Sequence, residues 1–404
     1  MSSVEAAGAP FLKLSDPSFS IRSAEVRKAR ELSWYARTPY GIAVLGYEDV
    51  GKLLRDPRLR QGSYAWPAHN RVTGIFTDWW LRMVLNRVGE DHARLRRLAG
   101  AAFSPKLVIP LQPTFAELAD GIVDEFAARG RCEFMAEFSE PYVTRVICIL
   151  LNLDQSEWRR LADICVDMGH ALGVTFKRDV DKINRATSAL FAYAYRVIEE
   201  RRTWPPGEDF ISQLLQANED KDTLGDQELY DMVVLAVFGG IDTTRNQLGL
   251  AMSVFIEYPD QWSLLAERPE LARNAVEEVM RVRPTTTWVT REAMADFTYR
   301  DLELKRGTTI HLFSESAGTD PRQFAPGFDI TAERKPHFGF GAGPHHCLGH
   351  VIARADMTEA LKVLSRRIRN PHLDGEPVWL PDSGNTGPVK LPIAFDAPPN
   401  SDDL

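Results

Sequence analysis

Residues 337–350 read HFGFGAGPHHCLGH, which places four glycines and four histidines around the cysteine at position 347. A zinc site could combine Cys347 with His345, His346 or His350. Structural zinc sites usually draw four ligands from paired motifs, however, and no second pair stands elsewhere in the sequence. A phosphate-binding loop would need GxGxxG spacing and a lysine, and the segment has neither.

A third kind of site makes Cys347 the single axial thiolate ligand of a flat macrocycle. Glycines at 341, 343 and 349 allow the backbone to fold tightly beneath such a ligand. The residues that follow, LGHVIARADMTEALKVL, have the apolar spacing of an amphipathic helix. A helix that begins at the sulfur favours negative charge there, so we expect Cys347 to be a thiolate.

The composition is that of a globular protein of 404 residues, with 44% hydrophobic residues and a formal net charge of −8. That charge argues against a general affinity for nucleic acid or anionic lipid. The beginning of the sequence lacks the profile of a secretion signal, and no run reaches the roughly 18 apolar residues that span a bilayer. We expect a soluble, cytoplasmic and monomeric protein, whose other cysteines, at 132, 148 and 165, are small buried hydrophobic residues.

Apolar residues recur at three- and four-residue intervals through most segments before residue 280, and this spacing predicts helices. The helical segments include 23–37, 92–103, 111–130, 157–172 and 183–202. Strand-like pieces occur near 41–46, 296–300, 308–313 and 387–395, separated by turn residues. With no repeat or long linker, the pattern predicts a mainly α fold with a small β region, in a single domain over residues 1–404.

The longest helical pattern, residues 226–257, is apolar on nearly every face in its first half, as in a helix that crosses a core. Its centre, GGIDTT at 239–244, contains poor helix formers. These residues are consistent with a local opening that faces a flat ligand. They are equally consistent with a close helix crossing in which the threonine hydroxyls bond to helix carbonyls.

A second helix is predicted over residues 269–282, with proline in its first turn and an end before Pro284. It carries Glu278 and Arg281 three positions apart on one face. Considered alone, such a pair is most often a solvated surface contact.

Together these motifs resemble the cytochrome P-450 superfamily, specifically its soluble bacterial haem-thiolate monooxygenases. The resemblance covers nearly the whole chain. The family pattern FxxGxxxCxG is present as Phe340, Gly343, Cys347 and Gly349, and the pattern (A/G)GxDTT is present at 239–244. The ExxR pair, Glu278 and Arg281, precedes the cysteine in the expected order and implies a structural role.

The resemblance implies a cytochrome P-450 fold around a buried haem b, iron protoporphyrin IX, with Cys347 as the iron ligand. It assigns Gly239, Phe340 and Gly349 to haem contacts. It also assigns four basic residues to the haem propionates: His92, Arg96, Arg291 and His345. The arginine normally found four residues after Phe328 is Ala332 here, and Arg334 lies two positions later.

The activity implied is insertion of one oxygen atom of O2 into a hydrophobic small molecule, by hydroxylation or epoxidation, with a role in secondary metabolism. In this reaction Thr243 hydrogen-bonds the distal oxygen and Asp242 helps to relay protons. The sequence has no flavin, nicotinamide or iron-sulfur motif, so the resemblance implies a ferredoxin and its reductase as electron donors. Oxidative coupling, desaturation or ring closure at the same iron site is an alternative, as is a haem-thiolate protein that only binds a ligand or gas.

Substrate contacts are expected from the aromatic-rich segment 62–86, from residues around 165–185, from the central helix, from residues 287–289 and from the turn near Gly384. The candidates are Trp66, Trp79, Val237, Trp288 and Val289. Basic residues expected near the cysteine side, where an acidic ferredoxin would dock, are Arg94, Arg97, Lys106, Arg354, Arg366, Arg367 and Arg369.

Overall fold

The computed structural model of the chain describes residues 8–16, 18–100, 102–173, 176–205, 207–219 and 224–396. Its helices are α1 Ala24–Leu32, α2 Tyr47–Leu53, α3 Trp66–Asn70, α4 Ile75–Arg82, α5 Gly89–Gly100, α6 Pro105–Val108, α7 Gln112–Asp124, α8 Glu140–Leu150, α9 Trp158–Gly169, α10 Val180–Arg201, α11 Phe210–Glu219, α12 Asp226–Glu257, α13 Pro259–Glu267, α14 Ala272–Val282, α15 Ser314–Gly318 and α16 His350–Arg367. The predicted mainly helical fold is therefore confirmed.

The strands form small sheets, of which the largest has the order β1-β2-β8-β5-β3. The strands are β1 Tyr35–Thr38, β2 Gly41–Val44, β3 Leu59–Gln61, β4 Arg131–Glu133, β5 Trp288–Ala293, β6 Phe297–Tyr299, β7 Leu302–Leu304, β8 Thr309–Phe313, β9 Arg369–Leu373, β10 Val378–Trp379, β11 Pro388–Lys390 and β12 Pro392–Asp396. Strand β5 pairs antiparallel with β8 on one side and with β3 on the other. This pairing places Gln61 opposite Arg291.

The helical prediction for residues 23–37 is wrong in its second half. Helix α1 ends at Leu32, and the next residues form β1, where Tyr35 pairs with Val44 and Thr38 with Gly41. Trp34 and Tyr35 continue the apolar spacing of the helix, so the periodicity does not mark the end. The hairpin with β2 decides the conformation because strand pairing overrides the local pattern.

Helix α12 crosses the core, as the predicted 226–257 segment requires, and its residues contact α8, α9, α10, α14 and α16. Apolar residues from all these helices form one buried cluster, while the five-stranded sheet packs around smaller ones. Across the described ranges, no helix combines the length and apolarity needed to cross a membrane.

A buried ionic cluster of Glu278, Arg281 and Arg334 joins α14 to the segment before the cysteine loop. Arg281 Nε and Nη2 donate to the two oxygens of Glu278 at 2.7 and 2.6 Å. Its remaining donors reach the carbonyl oxygens of Gly318 and Gly327 at 2.6 and 2.8 Å. The pair is thus a buried, fully bonded contact rather than the solvated one that its spacing alone suggests.

Arg334 Nη2 lies 3.3 Å from Glu278 Oε1, so Arg334 makes the contact that Ala332 cannot. Position 318 has no room for a side chain, so it requires glycine. A Cβ atom at that position would lie 2.2 Å from the carbonyl oxygen of Arg281. Helix α14 and α15 are therefore in direct backbone contact beside the ionic cluster.

Candidate active site

A cavity of about 480 Å³ lies among α12, α16, β5 and the cysteine loop, residues 336–349. Apolar side chains from α8, α12 and α16 contribute to its walls, including Ile147, Leu235 and Ile352. Cys347, Phe340 and Gly349 line it from the cysteine loop, and Gly239 and Thr243 line it from α12. The structure therefore brings together motifs separated by about 100 residues of chain.

The cysteine loop is held by its own backbone. The N–H of Cys347 donates to the carbonyl oxygen of Phe340 at 3.0 Å. Gly343 has φ +69°, and a Cβ atom there would lie 2.9 Å from the carbonyl oxygen of Leu54. The loop therefore presses against the end of α2, which fixes the position of the sulfur in the cavity wall.

Burial raises the pKa of the Cys347 thiol, while the N–H of Gly349 and the charges of Arg96 and Arg354 lower it by smaller amounts. Helix α16 begins at His350, three residues beyond Cys347, so the sulfur lies just before the N-terminal end of the helix, where the sequence predicts it. The thiolate form itself stays a prediction. A bound metal cation would supply the charge that ionises the thiol.

Four basic side chains form a cluster at one side of the cavity, which we call the basic cluster: His92 and Arg96 from α5, Arg291 from β5, and His345 from the cysteine loop. The rings of His92 and His345 have centroids 4.3 Å apart. Within the described ranges, none of the four forms an ion pair with a carboxylate. His92 Nε2 and His345 Nδ1 are buried atoms without a hydrogen-bond partner.

Burial opposes positive charge in the basic cluster. Burial, with smaller contributions from His92, Arg291 and Arg96, lowers the pKa of His345 to about 3. Burial also lowers the pKa of Arg291 to about 10, and the pKa of His92 lies below its ordinary value for the same reason. Desolvated basic groups without counter-charges are costly unless a ligand brings negative charge.

Gln61 is a cavity residue that the sequence does not reveal. Its side-chain oxygen accepts a hydrogen bond from Arg291 Nη1, and the two residues are register partners across β3 and β5. A glutamine at the end of a three-residue strand carries no motif. Only the strand pairing shows that Gln61 orients the Arg291 guanidinium.

The GGIDTT segment combines the two alternatives that its sequence leaves open. Helix α12 is continuous, and Thr243 Oγ1 donates to the carbonyl oxygen of Gly239 at 2.8 Å. A Cβ atom at Gly240 would lie 2.5 Å from Ile147 Cδ1, which marks a close crossing with α8. Because Gly239, Gly240 and Thr243 also line the cavity, the missing side chains leave room on the side that faces Cys347.

Asp242 is buried beside the cavity but is not among its lining residues. Its carboxylate lies 3.4 Å from Arg245 Nη2 and accepts a hydrogen bond from Asn385 Nδ2 at 3.1 Å. Arg245 also pairs with Glu140 at 3.3 Å. Burial raises the pKa of Asp242, while Arg245 and Asn385 oppose that shift.

Two of the five predicted substrate residues, Trp288 and Val289, line the cavity, and so does Gly384. Trp66, Trp79 and Val237 do not. Trp79 and Val237 are 0% exposed in the helical core, and Trp66 packs against Phe176 with ring centroids 4.6 Å apart. Aromatic content alone does not distinguish a residue that fills the core from one that lines a cavity.

The sequence profile described as Cytochrome P450 matches residues 155–370 of the chain. Luteothin monooxygenase of Streptomyces thioluteus is 36% identical over 396 residues, which cover 96% of both chains. The chain belongs to the cytochrome P450 family. This P450 is also 30% identical over 406 residues to mycinamicin IV hydroxylase/epoxidase of Micromonospora griseorubida, a match that covers 98% of this chain and all of the relative.

The crystal structure of CalO2 superposes on this P450 with a TM-score of 0.85 at 28% identity, covering 95% of this chain and 100% of that one. As a P450, the protein is an oxidoreductase of a family whose cofactor is a haem iron. The site fits such a group. The thiol of Cys347 lines the cavity, and glycines of α12 and of the cysteine loop line it as well. The unpartnered buried nitrogens of His92 and His345 lie where they could bind the two haem propionates.

Proposed function

We propose that this P450 is a haem-thiolate monooxygenase that inserts one oxygen atom of O2 into a hydrophobic small molecule. The observation that carries the proposal is that Cys347 and Thr243 line one cavity whose remaining walls are mostly apolar. When bound, haem b supplies the activation of O2 at its iron. Cys347 would hold that iron, and the basic cluster would hold the two propionates.

Thr243 would hold a proton-bearing group at the oxygen site by accepting a hydrogen bond from it. Its hydroxyl hydrogen is bonded to the carbonyl oxygen of Gly239, so the oxygen lone pairs are left to accept a hydrogen bond from the cavity side. Asp242, one residue earlier, would supply protons from behind α12. The apolar side chains of Ile147, Leu235 and Ile352 would exclude bulk water, which favours ordered proton delivery over leakage.

We further propose that a ferredoxin, reduced by its reductase, supplies two electrons. Among the basic residues predicted for docking, Arg354 pairs with Glu277, and Arg366 and Arg367 pair with acids of α7. Arg97, Lys106 and Arg369 are exposed and form no ion pair within the described ranges. Their charges are therefore available to an acidic partner.

Hydroxylation or epoxidation in secondary metabolism is the reaction class that we propose. Luteothin monooxygenase and mycinamicin IV hydroxylase/epoxidase, at 36% and 30% identity, support this class. Trp288, Val289 and Gly384 would contact the substrate, because they line the cavity.

The test of the iron ligand is the carbon monoxide difference spectrum of the reduced protein. Wild type should show the far-red-shifted Soret band of thiolate ligation, and Cys347→Ala should lose it. Cys132→Ala, which removes a buried cysteine of β4 that is not among the cavity-lining residues, should keep the band. Persistence of the band in Cys347→Ala would overturn the assignment.

The test of Thr243 is the fraction of NAD(P)H consumption that appears as product. Thr243→Ala removes the hydroxyl from the cavity wall, so the variant should consume NAD(P)H but release mostly peroxide. A drop in coupling of about 10-fold or more fits the size of a lost general-acid contribution. Thr243→Ser, which keeps the hydroxyl, should retain much of the coupling, and full coupling in Thr243→Ala would contradict the role.

A further inference from the structure

A hydrogen bond joins Asn385, whose side chain lines the cavity, to the buried carboxyl group of Asp242. Asn385 lines the cavity next to Gly384, whereas Asp242 does not. Asn385 Nδ2 donates to Asp242 Oδ2 at 3.1 Å, although the two residues are 143 positions apart. The acid on α12 is thus tied to the turn between β10 and β11, which closes one end of the cavity.

The Asn385 amide lies between Asp242 and Thr285. Thr285 Oγ1 lies 3.0 Å from the side-chain oxygen of Asn385 and 2.7 Å from the carbonyl oxygen of Thr386, and these two acceptors share its one hydroxyl hydrogen. The amide nitrogen is the end that faces Asp242. Ser383 Oγ donates to the backbone carbonyl of Asn385 at 2.6 Å, and the N–H of Thr287 donates to that of Gly384 at 3.2 Å. The turn is therefore anchored to the segment that leads into β5.

The other groups around Asp242 belong to three elements. On α12, Arg245 lies 3.4 Å away and is shared with Glu140 of α8. From the turn after α9, His170 lowers the pKa of the Asp242 carboxyl at longer range, and the charge of Asp242 in turn raises the pKa of the Cys165 thiol on α9. Backbone at Gly169 is also close, since a Cβ atom there would lie 3.0 Å from Asp242 Oδ1. Asn385 is thus the cavity-lining neighbour in this set, and it is neutral.

We propose that Asn385 is a positioning residue for Asp242, which fixes the carboxylate behind α12 and connects it to the substrate cavity. The proposal rests on the proposed function, because Asp242 matters only if it relays protons. A substrate that contacts the turn would move the Asn385 amide and thereby the acid. Asn385 then makes proton delivery depend on what occupies the cavity.

The first test is an infrared titration of the Asp242 carboxyl in the purified holoprotein, with the band identified by its absence in Asp242→Asn. Asn385→Leu keeps the side-chain size but removes a hydrogen bond to the ionised acid. The titration should therefore move to higher pH by about one unit. Asn385→Ser should give the same direction if the Leu variant does not fold. Thr386→Val, which removes a buried hydroxyl of the same turn, should leave the titration in place.

An unchanged titration in both Asn385 variants would overturn the proposal. The second test is a double-mutant cycle on coupling of NAD(P)H use to product. Asn385→Leu should lower coupling in wild type but change it less than twofold in Asp242→Asn, because the effect passes through Asp242. Equal losses in both backgrounds would mean that Asn385 acts only on substrate packing. The infrared titration does not depend on turnover, so it tests the role of Asn385 even if no substrate is known. If the titration is unchanged while the carbon monoxide difference spectrum is normal, the role of Asn385 is wrong and the proposed function still stands.

Discussion

The buried ionic cluster and the basic cluster both hold arginines away from water, but only the first surrounds them with oxygen atoms. Arg281 donates to Glu278 and to two backbone carbonyls, so its charge is compensated by the chain itself. Arg291 has the side-chain oxygen of Gln61 and a backbone carbonyl at 3.3 Å, with no carboxylate partner in the described ranges.

This difference separates stability from binding. A compensated buried pair holds a fold together, and its removal leaves an uncompensated charge. An uncompensated cluster costs stability, so it persists where a ligand completes it. The charged residues of the buried ionic cluster therefore stabilise the fold, whereas those of the basic cluster are available to bind a negatively charged ligand.

The largest effect should come from breaking the compensated cluster. Glu278→Ala leaves Arg281 buried without a counter-charge, and the free energy of unfolding should fall by about 3–5 kcal/mol. Urea denaturation monitored by circular dichroism measures this loss. Glu270→Ala breaks the exposed pair with Arg268, which water screens, and should change the free energy of unfolding far less than Glu278→Ala does. Similar losses in the two variants would remove the distinction.

A buried base outside the cavity lining tests whether an orphaned nitrogen by itself indicates a ligand site. His311 Nδ1 lies 3.1 Å from Thr290 Oγ1, while its Nε2 has no partner, and burial lowers its pKa to about 4. The unfolded chain binds a proton near pH 6.5 and the folded chain does not. Stability should therefore decrease as the pH falls from about 6.5 to about 4, by about 3 kcal/mol.

His311→Asn should abolish that part of the pH dependence of the unfolding free energy and leave the haem content unchanged. His372→Asn, at an exposed histidine, serves as the matched control and should leave the wild-type pH profile intact. Loss of haem in His311→Asn would mean that an orphaned buried nitrogen outside the cavity lining also affects haem binding, and would remove the distinction between the two kinds of site.

A smaller effect is expected at Arg291, where a substitution should weaken haem binding but hardly change the stability of the haem-depleted protein. Arg291→Leu removes a desolvated charge, so the unfolding free energy of haem-depleted protein should change by no more than about 1 kcal/mol. Haem should leave the variant about 10- to 100-fold faster, which corresponds to one lost charge-assisted bond of about 1.5–3 kcal/mol. Transfer of haem to an acceptor protein measures the rate. A large loss of stability with unchanged haem transfer would assign Arg291 to the fold instead.

The sequence predicts best those features that depend on consecutive residues. Helix α12 has the predicted bounds because both ends carry local signals: Glu228 accepts a hydrogen bond from the N–H of Gly225 at the start, and Pro259 follows the last turn. Arg334 illustrates the limit of spacing, since the contact with Glu278 depends on the path of residues 328–334 and not on a count from Phe328. The contacts of Gln61 and Asn385 are set by strand pairing and by a distant turn, so no local pattern contains them.

Two tryptophans that are predicted to contact substrate, Trp66 and Trp79, are not among the residues that line the cavity. Trp66 and Trp79 have the composition of a binding segment, yet packing places them against Phe176 and Phe76. Burial satisfies a tryptophan ring equally well in a core and in a pocket wall. Trp288 is different because it lies on β5 beside Gly384, where the strand edge faces the cavity.

The contact between Gly343 and the carbonyl oxygen of Leu54 limits how this chain can be recombined with relatives. The cysteine loop takes its position from the end of α2, almost 300 residues earlier in the chain. In a chimaera that takes these two segments from different parents, a different backbone at residues 47–55 would change the position of the cysteine loop and therefore of the sulfur. Crossover points that keep both segments from one parent should yield the larger share of pigmented clones.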